Sequence, residues 1–182
     1  MCGRFNFSNQ TGLKKKPRES VSPSFNFAPS QKILAINSNE DIIALNWGYK
    51  PQWLKQGQII NAQRETLKTK PTFKGYLHCY VPINGWYEWL KEKNGKQPYY
   101  FHAENETVYI KSIVKEDSII LLTTKASENI AHIHHRMPLI VKEPDFNIWN
   151  LNQVDLDVSY YPVSKKVNYA LNDGKELIEK IN

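Results

Sequence analysis

The chain has 182 residues, of which 41% are hydrophobic and 23% charged, with a net charge of +6 at neutral pH. That length suits one domain with a sizeable core, and no repeat, low-complexity tract or linker divides residues 1–182. No apolar run nears the roughly 18–20 residues that cross a bilayer, and two cysteines, Cys2 and Cys79, make no disulfide framework, so a cytoplasmic protein without a membrane partner is expected.

Charge is unevenly placed. Residues 1–60 carry eight Lys/Arg against three Asp/Glu, whereas residues 121–182 carry seven against eight. A basic N-terminal third points toward a polyanion partner.

In chain order, residues 13–24, with Lys14-Lys15-Lys16-Pro17, read as a solvated loop or short helix. Ile33-Leu34-Ala35-Ile36 and Ile42-Ile43-Ala44-Leu45 predict two strands around the polar turn 37–41. Trp47-Gly48-Tyr49-Lys50-Pro51-Gln52-Trp53 is a loop by its glycine and proline, yet dense in aromatics. Residues 76–89 are strand-like, with Pro82 and Gly85 as interruptions, and lead to a hairpin centred on Asn94-Gly95. Residues 99–102, 108–110 and 118–124 continue the strand series, and residues 144–151 and 175–181 are the predicted helical pieces. The expected fold class is α+β, a single compact domain dominated by β-structure.

Chemistry begins at Met1-Cys2-Gly3-Arg4-Phe5. No basic n-region or apolar run of signal length precedes Cys2. Removal of Met1, which a small second residue permits, leaves a 1,2-aminothiol. Its α-amine, with a pKa of about 7.7–8.0, is partly unprotonated near pH 7, and its thiol titrates at about 8.5. Such an amine attacks an aldehyde to give a Schiff base, and the thiol then closes a five-membered thiazolidine on the same carbon. Asn61 follows the apolar pair Ile59-Ile60, at or near a strand end, where its amide can orient a nucleophile or hold a carbonyl oxygen, or merely turn the chain. Glu88 lies between Tyr87 and Trp89. Desolvation there would raise its pKa into the range useful for proton transfer, although strict alternation could place it on a wet face. Ile133-His134-His135-Arg136-Met137-Pro138 joins a neutral-pH proton carrier to a phosphate-binding fork. Without paired-cysteine spacing no metal is expected there, and no cofactor anywhere. Trp47, Tyr49 and Trp53 suit either a core or a platform for unstacked bases, each stacked base being worth roughly 1–3 kcal/mol.

Taken together, Cys2-Gly3-Arg4-Phe5, Asn26-Phe27-Ala28-Pro29, Trp47 to Trp53, Asn61-Ala62, Cys79-Tyr80-Val81-Pro82 with Gly85-Trp86-Tyr87-Glu88-Trp89, His134 to Pro138 and Pro162-Val163-Ser164 resemble the SRAP (SOS-response-associated peptidase) family, in its order and over nearly the whole chain. The resemblance implies a mixed domain built around curved, barrel-like sheet with a few flanking helices. It also implies binding of single-stranded DNA at abasic sites in the DNA damage response, with the aldehyde captured by the N-terminal cysteine as a thiazolidine crosslink. In that reading Cys2 is the nucleophile and Asn61 positions it. Glu88 moves protons, and His134 assists sugar-ring opening and, with Glu88, reversal. Arg4 and Arg136 neutralise phosphates, while Trp47 and Trp53 stack beside the lesion. The family usually reads Asn-Ala-Arg where this chain has Asn61-Ala62-Gln63, followed by Arg64. Adjacent side chains of an extended segment face opposite ways, so Arg64 is no automatic substitute, and Gln63 offers phosphate a hydrogen bond without charge. A monomer suffices for such a role, associating with the nucleoid when on DNA. Two other readings stand beside it: an N-terminal-nucleophile peptidase in which Asn61 is an oxyanion donor and Glu88 or His134 the base, and a non-covalent single-strand binder with an inert Cys2.

Overall fold

The computed structural model describes residues 2–104, 107–153 and 156–181. Its strands are β1 (Phe5–Phe7), β2 (Ser24–Phe27), β3 (Lys32–Asn37), β4 (Ile42–Trp47), β5 (Asn61–Gln63), β6 (Leu77–Ile83), β7 (Gly85–Glu92), β8 (Gly95–His102), β9 (Val108–Lys115), β10 (Ser118–Lys125), β11 (Arg136–Pro138), β12 (Ile140–Val141) and β13 (Ser159–Pro162). Every helical piece among the described residues is a short 3-10 turn, at Arg64–Thr66, Pro71–Phe73, Lys165–Asn168 and Lys175–Ile178.

Two sheets share the work. The smaller runs β13-β8-β7-β1-β2. The larger runs β11-β10-β4-β3-β6-β9-β12, with β5 added in parallel alongside β10. It is mixed and strongly curled. Ser118 and Ile119 of β10 pair in parallel with Asn46 and Trp47 of β4 and antiparallel with Lys115 and Val114 of β9. This is curled sheet rather than a regular closed barrel.

The sheets face each other across aromatic side chains. Phe5 of β1 stacks on Phe27 of β2 with ring centroids 5.1 Å apart and meets Trp47 of β4 at 5.2 Å. Trp86 of β7 stacks on Phe101 of β8 at 5.2 Å. Such rings supply the largest apolar areas a core can bury. β1 is covered on both faces: Asn6, fully enclosed, donates from Nδ2 to the Tyr100 hydroxyl at 2.7 Å. A Cβ at Gly85 would collide with the Phe101 carbonyl and the Tyr100 ring, so glycine lets β7 lie flush against β8.

Strands stand at each expected stretch, but β1, β2 and β11–β13 add to the series, Pro82 lies inside β6 instead of interrupting it, and three further expectations differ. The hairpin joining β7 and β8 centres one residue earlier, on Lys93-Asn94, because Glu92 pairs with Gly95 and Gly95 takes the left-handed φ of +126°. Residues 144–151 form turns instead of a helix. The Asp145 carboxylate accepts from the amides of Asn147 and Ile148, which competes with helical bonding. The segment 175–181 holds a single 3-10 turn, since Lys180 bridges to Val163 and the Ile181 amide donates to Pro162.

Candidate functional site

The site lies where the two sheets meet the chain's N-terminal segment. Beyond Phe5↔Trp86, the Tyr87 amide donates to the Arg4 carbonyl at 3.1 Å, so the register of β1 continues toward Cys2 alongside Glu88. Cys2 has no exposed surface. Its thiol donates to the Arg4 carbonyl at 3.8 Å. From the larger sheet, Asn61 at the start of β5 donates from Nδ2 to the Cys2 carbonyl at 2.8 Å. The Asn61 Oδ1 is buried and makes no hydrogen bond among the described residues. A residue held from both sheets has a defined backbone position, which a nucleophile needs.

Glu88 is only 2% exposed. Alternation along β7 turns it to the same face as Trp86, toward the inter-sheet core. Tyr87, on the other face, is covered by Val163, Val167 and Leu177 of the C-terminal segment. Around Glu88 both faces of β7 are therefore covered, apart from a cavity on the Glu88 side, and the carboxyl is not on an open wet face. Burial pushes the Glu88 carboxyl from its ordinary 4.5 up to about 7. Burial, reinforced by the nearby Glu88 charge, pushes the Cys2 thiol far above its usual range. The thiol is thus protonated near neutral pH and can react only by handing its proton to a base.

Glu88 and His134 line one cavity of about 360 Å³, together with Trp89, Lys96 and Asn168. His134 sits before β11, with Nδ1 3.0 Å from both the carbonyl oxygen and the amide nitrogen of Arg136; in the tautomer with the proton on Nδ1, donated to that carbonyl, Nε2 is the basic nitrogen. Burial lowers its pKa, so the imidazole is mainly neutral at pH 7. Trp89, Lys96 and Asn168 were not legible from residue type. Trp89 Nε1 donates to Asn168 Oδ1 at 2.7 Å, a pairing across 79 positions of chain.

The structure thus brings Cys2, Asn61, Glu88 and His134 together. The residues expected to touch DNA have mixed placements. Trp47 is fully buried, with Nε1 donating to the Ile60 carbonyl at 3.1 Å, and offers no ring face to a base. Trp53 is 64% exposed and lines a separate hollow with Lys50, Pro51 and Lys115. Gln63 is exposed on β5. Arg64 donates to the Leu151 carbonyl at 2.9 Å. Arg136, nearly buried, forks onto the Glu65 carboxylate at 3.0 and 2.9 Å and donates to the Thr123 carbonyl at 2.7 Å. Arg4 donates to Asn26 Oδ1 and to the carbonyls of Val167 and Asn168. These three guanidinium groups are spent inside the protein because their acceptors come from distant stretches.

A buried thiol held between two sheets, beside a near-neutral carboxyl that shares a cavity with an imidazole, marks a β-rich domain with a polar site at its N-terminal segment. The family model for SOS response associated peptidase (SRAP) matches residues 1–170, and the chain belongs to that family. It is 31% identical to the abasic site processing protein YoqW of Bacillus subtilis (strain 168), over 98% of this chain and 99% of that protein. It is 26% identical to the abasic site processing protein YedK of Escherichia coli (strain K12), over 86% of this chain and 84% of that one. A crystal structure of a protein from Bacteroides thetaiotaomicron superposes with a TM-score of 0.78 at 18% identity, covering all of both chains. That likeness concerns the fold.

Proposed function

We propose that this protein processes abasic sites in DNA by trapping the lesion's aldehyde covalently on Cys2, within single-stranded DNA, as a thiazolidine crosslink that shields the damage. One observation carries the reading: Cys2 is held by Asn61 beside a carboxyl poised at about pH 7, at the edge of an open pocket. The names of the relatives agree with it.

Removal of Met1 frees the α-amine of Cys2. Neutral His134 takes the anomeric hydroxyl proton of the closed sugar at Nε2 and returns it to the ring oxygen as the ring C–O bond breaks, giving the aldehyde and a free sugar hydroxyl. The amine adds to the aldehyde carbon. Protonated Glu88 then delivers a proton to the resulting hydroxyl, which leaves as water, and the nitrogen lone pair forms the protonated imine, an iminium. The Glu88 carboxylate left behind is the base that the raised thiol needs. It takes the thiol proton while sulfur bonds to the iminium carbon; the C=N electron pair returns to nitrogen, which keeps its own hydrogen, and Glu88 is protonated again. One aldehyde and one aminothiol become one thiazolidine and one water. The unpaired Asn61 Oδ1 is available to accept from a hydroxyl of the opened sugar. Trp53 and Gln63, both exposed, are the DNA contacts this reading retains.

The peptidase reading asks Asn61 to donate to an oxyanion at the bond before Cys2, whereas its amide binds the carbonyl that follows the Cys2 α-carbon. That geometry favours a positioning role. The test is incubation with an oligonucleotide carrying one abasic site, followed by a denaturing gel. A shifted band, absent for Cys2→Ala and absent when residues are added before Cys2, is expected. A cleaved peptide bond without a shifted band would favour the peptidase. Binding without any covalent band, unaffected by Cys2→Ala, would favour simple strand binding.

A further inference from the structure

Two motifs take no part in the chemistry above, Asn26-Phe27-Ala28-Pro29 and Pro162-Val163-Ser164. They meet at Arg4. The Arg4 guanidinium donates from Nη1 to Asn26 Oδ1 at 3.1 Å and to the Val167 carbonyl at 2.8 Å, and from Nη2 to the Asn168 carbonyl at 3.2 Å. Asn26 is 1% exposed, and its Nδ2 faces the carbonyls of Val167, Tyr169 and Asn172 at 3.3, 3.2 and 2.9 Å. Four carbonyls of one loop therefore converge on two side chains from the N-terminal strands. The Ser164 hydroxyl caps the loop's 3-10 turn by accepting from the Lys166 amide at 3.3 Å, and the Asp173 carboxylate accepts from the Phe25 amide at 2.7 Å.

Between Lys165 and Gly174 the loop has no helix or strand beyond that turn. Its carbonyls point inward with no sheet partner, so its shape depends on the donors that gather them. The loop also carries Asn168, which lines the cavity shared by Glu88 and His134 and receives the Trp89 indole hydrogen. Release of the carbonyls would let that wall move.

We propose that Arg4 and Asn26 are positioning residues, a clasp that fixes the 164–173 loop as a wall of the cavity lined by Glu88 and His134, and that Arg4 does not serve the DNA phosphates. The proposal rests on the reading of this pocket as the aldehyde trap. Arg4 suits the task because its planar fork reaches several acceptors in fixed geometry, which a lysine cannot copy. The clasp and the phosphate role make opposite predictions for Arg4→Lys. Lysine keeps the charge and would preserve a phosphate contact. It loses the fork and would release the loop.

The experiment compares wild type with Arg4→Lys, Arg4→Ala, Asn26→Ala and Asn168→Ala. Amide hydrogen exchange of the free protein is read first. Faster exchange at Val167, Tyr169 and Asn172 in Arg4→Lys and Asn26→Ala is expected, with the β6–β9 amides unchanged. Unchanged exchange in the loop overturns the clasp, whether or not wild type crosslinks DNA. A wild type that forms no crosslink sinks the trap reading instead, and exchange alone then decides the clasp. Where the crosslink forms, its rate at saturating abasic oligonucleotide falls at least about tenfold in Arg4→Lys and Asn26→Ala, since displaced pocket walls cost rate more than affinity. Asn168→Ala shows the same loss from an exposed position that carries no core packing. The salt slope of binding stays that of wild type in Arg4→Ala. A slope smaller by about 0.7, the loss of one phosphate contact, overturns the proposal, as does a wild-type crosslinking rate in Arg4→Lys.

Discussion

The Cys2 pocket and the basic loop 13–24 use charge in opposite ways. In the pocket, one carboxyl is withdrawn from water and its pKa rises to about 7. In the loop, Lys14 pairs with Glu143, Lys15 with Glu40 and Arg18 with Asp41, and Lys32 of β3 pairs with Glu19. All of these ion pairs are substantially solvated. Coulomb energy grows as water is excluded, so a single buried group changes chemistry where several wet pairs change little. The densest charge run in the sequence is thus a strap over β3 and β4, and the consequential charge is a lone glutamate among aromatics.

Breaking the pocket gives the largest effects. Cys2→Ala removes the nucleophile, and complete loss of the covalent band is expected on a denaturing gel. Glu88→Gln keeps the shape and removes the proton carrier. A fall of about 10²–10⁴ in crosslinking rate is expected, together with loss of the limb of the pH–rate profile near pH 7. The same substitution has the opposite effect on stability. Glu88 holds its proton more tightly folded, near pH 7, than unfolded, near 4.5. Stability from this group is therefore complete below about pH 4 and declines as pH rises from there to about 7. At pH 8 the buried carboxylate costs on the order of 3 kcal/mol, each pH unit being worth about 1.4 kcal/mol. Glu88→Gln should melt higher than wild type at pH 8, with the gap closing at pH 4. Equal melting temperatures at both pH values would show that the folded carboxyl is not perturbed.

Asn61→Ala comes next. It leaves thiol and carboxyl in place but frees the Cys2 carbonyl. A loss of about 10²-fold in crosslinking rate, with strand affinity kept, is expected from misplacing one reacting group. Single-turnover measurement at saturating DNA separates it from a binding defect.

The sequence exposed strands better than partners. Apolar runs bounded by turn residues located β3, β4, β9 and β10 because their periodicity is local. Residues 144–151 misled because the apolar pairs Phe146/Trp149 and Ile148/Leu151 each stand three apart, as on a helix, yet Asp145 and Asn150 bond the backbone and Lys111 donates to the Asn150 carbonyl. The convergence of Cys2, Asn61, Glu88 and His134 followed from the family resemblance. Which face of β7 carries Glu88 could not be read from that strand alone, since Val163, Val167 and Leu177, which cover the Tyr87 face and leave Glu88 on the Trp86 side, lie about 75–90 positions away. Arg4, Arg136 and Trp47 looked available for DNA for the same reason. Their acceptors, Val167, Glu65 and Ile60, are visible only once the chain is folded.

The smallest effects belong to the charged surface, and they sharpen the contrast. Gln63 is exposed on β5, two residues from Asn61, and carries no charge. Gln63→Arg should tighten binding to single-stranded DNA and steepen its salt slope by about 0.7, one added phosphate contact. An unchanged slope would remove Gln63 from the DNA path. The paired substitution Lys14→Gln with Lys15→Gln deletes two cations from the densest basic run. Their partners Glu143 and Glu40 remain exposed to water, so neither carboxylate is left buried and unpaired. Melting temperature and salt slope are both expected to stay at wild-type values. A slope reduced by these two substitutions would place a phosphate on the strap and reverse the assignment of which basic surface meets DNA.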